Sequence, residues 1–110
     1  MKTREVVIAL TVILCFVLCA CGQRKPHYVI GVSQCSDDIW RDKMNGELRI
    51  ATYAHDNVEL KFASANDNVS RQIEQIDRFA DMGVDLLIVS PVQGEVSKAI
   101  DRAYDKGIPV

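Results

Sequence analysis

The chain of 110 residues is 48% hydrophobic, 25% charged and 6% aromatic, a composition that excludes a disordered tail, a coiled coil and a collagen-like repeat. Beyond residue 20 it keeps eleven basic and fourteen acidic residues, a formal charge of −3. Such a body lacks the clustered Lys and Arg that neutralise phosphates in nucleic-acid complexes, so we predict no nucleic-acid partner.

The amino terminus, residues 1–20, is predicted to be an export signal. A short basic start precedes the uncharged apolar run 6–20. As a helix this run would be roughly 22 Å long, which is shorter than the ~30 Å hydrocarbon core of a membrane and typical of a secretory signal. Residues 21–26 are predicted to be a polar tether, and residues 27–110 to lie outside the cytoplasm.

The sequence Leu18-Cys19-Ala20-Cys21 resembles a bacterial lipobox. The resemblance implies that the chain is cut before Cys21 and that this cysteine carries a diacylglycerol, which would anchor the protein at the periplasmic face of the membrane. An uncleaved signal anchor ending near Cys21 is the alternative, and it too places the body outside the cytoplasm.

The body is predicted to contain no disulfide framework, metal site or cofactor. Cys35 is the only cysteine beyond residue 21, so it has no partner within the body. His27 and His55 are far apart in sequence, and no Cys/His pair has the spacing of metal ligands.

The body begins with a predicted strand, residues 27–33, which is short and rich in β-branched residues. Either Asp37 or Asp38 can cap the helix that follows. This helix has an apolar face with the 3.6-residue period. The members of the face are Trp40, Met44, Leu48, Ala51 and Ala54.

A second strand and a second helix are predicted over residues 58–83. Residues 58–64 alternate apolar and charged side chains, as in an edge strand or one with a solvated face. Residues 66–68 cap the helix, which ends at Gly83, where a left-handed residue is needed. Its apolar side consists of Val69, Ile73, Ile76, Phe79 and Met82.

The third predicted strand, residues 84–90, indicates the fold class. Its unbroken apolar run at 86–89 predicts cover on both faces, as in a parallel sheet between helices. A third helix ends at Gly107, and residues 108–110 begin a fourth strand. The buried side of this helix is predicted to be Val96, Ala99, Ile100, Ala103 and Tyr104. The order βαβαβαβ predicts an α/β fold, a doubly wound parallel sheet truncated in its fourth strand.

Three loops are predicted to meet at the carboxyl edge of this sheet, where ligands bind in doubly wound folds. They span residues 33–38, 64–68 and 90–94. The first loop offers Ser36 and Asp37, with Trp40 one turn into the helix. Carboxylates accept hydrogen bonds from sugar hydroxyls, and an indole presents a flat apolar face to a sugar ring. Asp38 is predicted to cap the helix. Asp37 either binds the ligand or caps the helix, and Trp40 either binds the ligand or packs in the core.

Four segments resemble the amino-terminal lobe of the type I periplasmic sugar-binding proteins, the ribose-binding-like family. They are residues 28–33, 37–40, 75–91 and 99–110. The similarity extends over residues 27–110. Around residues 35–40 it is greatest to the sensor domains of Bacteroides-type hybrid two-component regulators, in which a pair of such lobes precedes a membrane span and a histidine kinase.

This resemblance implies a position for the sugar. In the family, an Asn and two Phe in the loop after the first strand contact the ligand, and by position these fall on Asp37, Ile39 and Trp40. Ile39 lacks the ring, which argues against ribose specificity. Ser90 would line the cleft at its margin. The resemblance also implies a second lobe that these residues do not include, so the affinity of this half alone is expected to be negligible.

Other classes with this topology fit less well. A receiver domain needs a phosphoaccepting Asp where this chain has Ser90, a Rossmann unit needs GxGxxG after the first strand, and no nucleophile motif supports an enzyme. Two functions stay open: the sugar-sensing domain of a hybrid two-component histidine kinase, and the lipoprotein substrate-binding component of an ABC sugar importer. A kinase or a permease would be the corresponding partner.

Overall fold

The computed structural model describes residue 3 and residues 27–110. The rest of the predicted signal peptide, the tether at 21–26 and Cys21 lie outside the described residues. In chain order the elements are β1 (Tyr28–Gln34), α1 (Ile39–Thr52), β2 (Val58–Ser64), α2 (Val69–Met82), β3 (Leu86–Val89), a 3₁₀ turn (Gly94–Val96) and α3 (Ser97–Asp105).

The three strands form a parallel sheet in the order β2-β1-β3. β1 is central, and its residue Ile30 is in register with Leu60 of β2 and Leu86 of β3. The predicted fourth strand is not formed as such. The backbone N–H of Leu87 donates to the carbonyl of Pro109 at 2.9 Å, and Pro109 has no N–H of its own to add to a ladder. Residues 108–110 therefore begin to run beside β3 without forming a regular ladder.

Helices α2 and α3 cover one face of the sheet. The main core lies here, because residues of α2, α3 and β3 bury their apolar side chains together. The buried members are Ile76, Phe79, Ala80, Val84, Leu87, Val96, Ala99, Ala103 and Ile108. The predicted apolar sides of both helices are confirmed in their central turns. The predicted burial of Tyr104 is wrong, because Tyr104 is exposed near the end of α3, and Met82 on the apolar side of α2 is exposed too.

Helix α1 covers the opposite face only in part. Side chains alternate along β1, so Gln34 points away from α2, and its amide donates to the Asn45 side chain of α1. The Arg49 guanidinium lies 4.5 Å from the centre of the Phe62 ring on β2. Among the described residues none of α1 is buried. The apolar face of α1 is therefore only partly covered, and so is the face of β3 on this side.

The helix ends follow the local sequence. Asp38 caps α1, and the Asn68 side chain caps α2 by accepting the backbone N–H of Arg71 at 2.9 Å. Gly83 and Gly107 have φ values of +67° and +84°, the left-handed conformation in which a glycine without a Cβ is unstrained. These predicted caps and stops are confirmed.

Candidate ligand-binding edge of the sheet

The carboxyl ends of the strands bring the three predicted loops together. Because β1 is central, the end of β1 receives hydrogen bonds from both neighbours. The N–H of Ala65 donates to the carbonyl of Gln34 at 2.8 Å, and that of Asp67 donates to Cys35 at 2.7 Å. On the other side the N–H of Ser90 donates to Ser33 at 2.9 Å. The loops after β1, β2 and β3 therefore form one continuous edge.

Asp38 organises the first loop. One carboxylate oxygen accepts the backbone N–H groups of Trp40 and Arg41, each at 3.0 Å. The other accepts the Ser36 hydroxyl at 2.8 Å and the Arg41 guanidinium at 3.0 Å. The backbone N–H of Arg41, then the Ser36 hydroxyl, lower the pKa of Asp38 most. The predicted capping role of Asp38 is confirmed, and Ser36 is oriented by it.

Asp37 lies beside the second loop. In the amide orientation that matches donors to acceptors, Asn66 donates to Asp37 Oδ2 at 3.2 Å and to Ser64 Oγ at 3.0 Å. The amide oxygen then accepts from the Arg71 guanidinium at 3.1 Å. Asp37 does not cap α1 and is exposed, so its carboxylate keeps accepting capacity on the open edge.

Trp40 is in the first turn of α1 and is 74% exposed. The interpretation of Trp40 as a core side chain is therefore wrong, since no element within residues 27–110 buries it. Ile39, beside it, is also exposed. The first turn of α1 therefore presents apolar side chains to solvent next to the polar loop. A role of Trp40 in ligand contact stays a prediction.

Ser90, the fourth predicted ligand residue, is half-buried directly after β3. Its carbonyl is bonded by Gln72 of α2, which belongs to none of the predicted sites. Gln72 of α2 is fully buried, and its amide nitrogen donates to the Ser90 carbonyl at 2.9 Å and to Ser33 Oγ at 3.3 Å. Its amide oxygen accepts the backbone N–H of Val92 at 2.7 Å. The sequence carried one signal, since Gln72 lies four residues before Ile76 on the apolar side of its helix.

Two other features lie near the site without joining it. Cys35, buried and unpaired, has its Sγ 3.0 Å from the Arg41 guanidinium. A cavity of about 210 Å³ lies between β2 and α2 and touches Ala63, Gln75 and Phe79, but none of the predicted ligand residues lines it. Within residue 3 and residues 27–110, no cluster of three His, Cys, Asp or Glu side chains could hold a metal ion. No helix in this part of the chain has the length and hydrophobicity to cross a membrane.

A family model described as a periplasmic binding protein domain matches residues 29–110. The chain belongs to the periplasmic binding protein family. The predicted family and fold class are confirmed, because the solved structures that match share this sheet and its helices.

Three relatives illustrate the family. The fructose-binding periplasmic domain of a Bacteroides hybrid two-component system is 48% identical, with a TM-score of 0.71 over 76% of this chain and 28% of that one. An ABC transporter solute-binding protein from Bacillus halodurans, with bound myo-inositol, is 26% identical, with a TM-score of 0.71 over 80% of this chain and 31% of that one. A xylitol-binding protein from Mycolicibacterium smegmatis is 42% identical over 67 residues, 59% of this chain and 19% of that protein. The chain therefore spans less than a third of each relative.

Proposed function

We propose that this chain is part of the amino-terminal lobe of a periplasmic receptor for a small carbohydrate, and that the receptor is the sensory domain of a hybrid two-component histidine kinase. The observation that carries the proposal is the edge at which three loops meet and expose Asp37 and Trp40. The 48% identity to a fructose-binding domain of a hybrid two-component system supports both parts of it.

The chemistry of this edge suits a neutral polyhydroxy ligand. A sugar hydroxyl donates to the free accepting positions of Asp37, and the C–H face of the ring packs on the Trp40 indole. Closure of a second lobe over the sugar would then shift the equilibrium between two signalling states by the difference in ligand affinity between them. The proposed role is binding, with no catalytic step.

The second candidate function is the substrate-binding lipoprotein of an ABC sugar importer. Its support is the lipobox at Cys21 and the similarity to a solute-binding protein with bound myo-inositol. Both candidates share an exported body at the periplasmic face, held there by a lipid on Cys21 or by the signal anchor.

Sugar binding is tested by titration calorimetry on the protein expressed from its complete reading frame, with fructose, xylitol and myo-inositol as probes. For whichever probe binds, Trp40→Ala is expected to weaken affinity about tenfold, because an aromatic stacking surface is lost. Asp37→Asn is expected to weaken it by about tenfold or more, because a charged acceptor is lost. Tyr53→Ala is the matched control, since Tyr53 is an exposed aromatic residue at the far end of α1. Failure to bind any simple sugar would overturn the proposal.

The two candidate functions are distinguished by the genomic DNA beyond Val110. A histidine kinase in the same reading frame supports the sensor, whereas neighbouring permease and ATPase genes support the importer. Lipidation is tested separately with labelled palmitate: Cys21→Ala is expected to abolish incorporation, and Cys19→Ala to retain it. Equal labelling of both variants would argue against Cys21.

A further inference from the structure

We infer that Gln72, a residue that touches no ligand, is the positioning residue that sets the ligand-edge segment after β3. The inference deepens the proposed function, because it concerns the placement of Ser90 at the proposed sugar site. It starts from burial. The Gln72 side chain is fully inside the protein, and a buried amide is destabilising for each polar group left unpaired.

All polar groups of this amide have partners. The nitrogen donates to the Ser90 carbonyl and to Ser33 Oγ, and the oxygen accepts the Val92 N–H. With both donors and the acceptor in use, the orientation of the amide is fixed by its neighbours. Gln72 therefore links three elements: α2 through its own backbone, the end of β1 through Ser33, and the segment 90–92.

The Gln72 amide pairs with residues 90–92 as the backbone of a neighbouring strand would. A neighbouring strand would accept an N–H and donate to a carbonyl on residues two apart in sequence, which is what Gln72 does at Val92 and Ser90. Between them lies Pro91, which has no N–H to offer a real strand. The Gln72 amide thus continues the pairing of β3 past the point where the backbone ladder with β1 ends, at the Ser90 N–H.

The consequence for binding concerns geometry. The Ser90 N–H donates to β1, and the Ser90 carbonyl accepts from Gln72. These two bonds fix the backbone of Ser90 and therefore the direction of its side chain. Without the hydrogen bonds from Gln72, only the Ser90 N–H would hold this segment to the sheet. The backbone of residues 90–92 could then change its conformation. A displaced Ser90 would lose its hydrogen bond to the ligand, which corresponds to a roughly tenfold loss of affinity.

The test uses hydrogen exchange and affinity on the protein from its complete reading frame. Gln72→Met keeps the shape of the side chain and removes all three hydrogen bonds. The control is Ile76→Val, one turn further along α2, which removes one buried methyl group without touching segment 90–92.

Without ligand, amide exchange at Val92 is expected to be faster in Gln72→Met and unchanged in Ile76→Val. With fructose as the probe, Gln72→Met is expected to lose about tenfold in affinity, and Ile76→Val none. Unchanged Val92 exchange in Gln72→Met, or an equal increase in Ile76→Val, overturns the inference. So does unchanged fructose affinity in Gln72→Met when the native protein binds. If the native protein binds no sugar, the proposed function fails, and the exchange result still decides the role of Gln72.

Discussion

Gly31 lies in the middle of the central strand β1, where the face covered by α2 has no room for a side chain. A Cβ placed on Gly31 would be 2.9 Å from Phe79 Cγ, 3.1 Å from Phe79 Cδ1 and 3.2 Å from Leu87 Cδ1. The leucine methyl is the end of a flexible side chain and can rotate away. Phe79 Cγ is the root of the ring, so it moves only if χ1 turns, and the ring is buried in the core.

The expected cost of Gly31→Ala follows from these contacts. Forcing one extra carbon into a packed core costs about 1–3 kcal/mol, and loss of the glycine entropy in the unfolded chain returns about 0.5–1 kcal/mol. The central values of these ranges leave a net destabilisation of roughly 1 kcal/mol. Gly46 is the matched control, because a Cβ there meets nothing within 4 Å in the helix α1. Gly46→Ala is expected to stabilise the fold by about 0.5–1 kcal/mol.

Urea unfolding followed by far-UV circular dichroism measures both variants. Replacement of glycine by alanine should lower the urea midpoint of unfolding at Gly31 and raise it at Gly46. A double variant with Phe79→Leu tests the cause, because removing the ring should make Gly31→Ala less costly than in the native background. A midpoint for Gly31→Ala at or above that of the native protein would refute the packing argument, and so would a cost unaffected by Phe79→Leu.

Three further predictions concern charge and exposed surface. Hydrogen bonds lower the pKa of Asp38, led by the Arg41 N–H, so its contribution to stability is present above the unfolded pKa of about 4 and is lost as the pH falls through the folded value. Asp38→Ser, a cap without a titrating group, should show a shallower fall of the melting temperature in acid, and an identical acid slope would contradict this. Arg102 donates two hydrogen bonds to Asp77, at 3.0 and 2.8 Å, which raises the pKa of Arg102. Arg102→Gln, which removes the charge, should lower the melting temperature slightly at low salt and have little effect at high salt, and a deficit independent of salt would contradict a charge effect. Residues 27–110 expressed alone should aggregate because no residue of α1 is fully buried and Ile39, Trp40 and Ile50 are exposed. A monomeric product with a sharp melting transition in light scattering and calorimetry would count against this.

The sequence predicts the elements of this fold better than it predicts their packing. Residues 58–64 form the strand that alternation indicates, and Gly83 and Gly107 end their helices because their positive φ is a local property. Tyr104 and Trp40 have the correct helical spacing but are exposed, since burial depends on a neighbour and not on periodicity. The described residues provide no such neighbour over these two side chains.

In the candidate site, too, local contacts are predictable from the sequence and contacts between distant residues are not. The capping role of Asp38 is predictable because its partners lie two and three residues ahead in sequence. Gln72 could not be assigned from sequence, because its partners Ser33 and Ser90 are 39 and 18 residues away. A glutamine among apolar residues indicates a buried amide without indicating which backbone groups it satisfies. The contact between Asp37 and Asn66 also depends on two loops that meet only after the sheet has formed.

The hydrogen bond from Leu87 to the Pro109 carbonyl places residues 108–110 beside β3. Within residues 27–110, β2 therefore forms the outer rim of the sheet. The rim carries a carboxylate and an ammonium group, on Glu59 and Lys61, that bind each other at 2.6 Å. Charges of this kind deter a foreign strand from joining the backbone. The lobe can thus be extended on one flank while its opposite flank resists unwanted association.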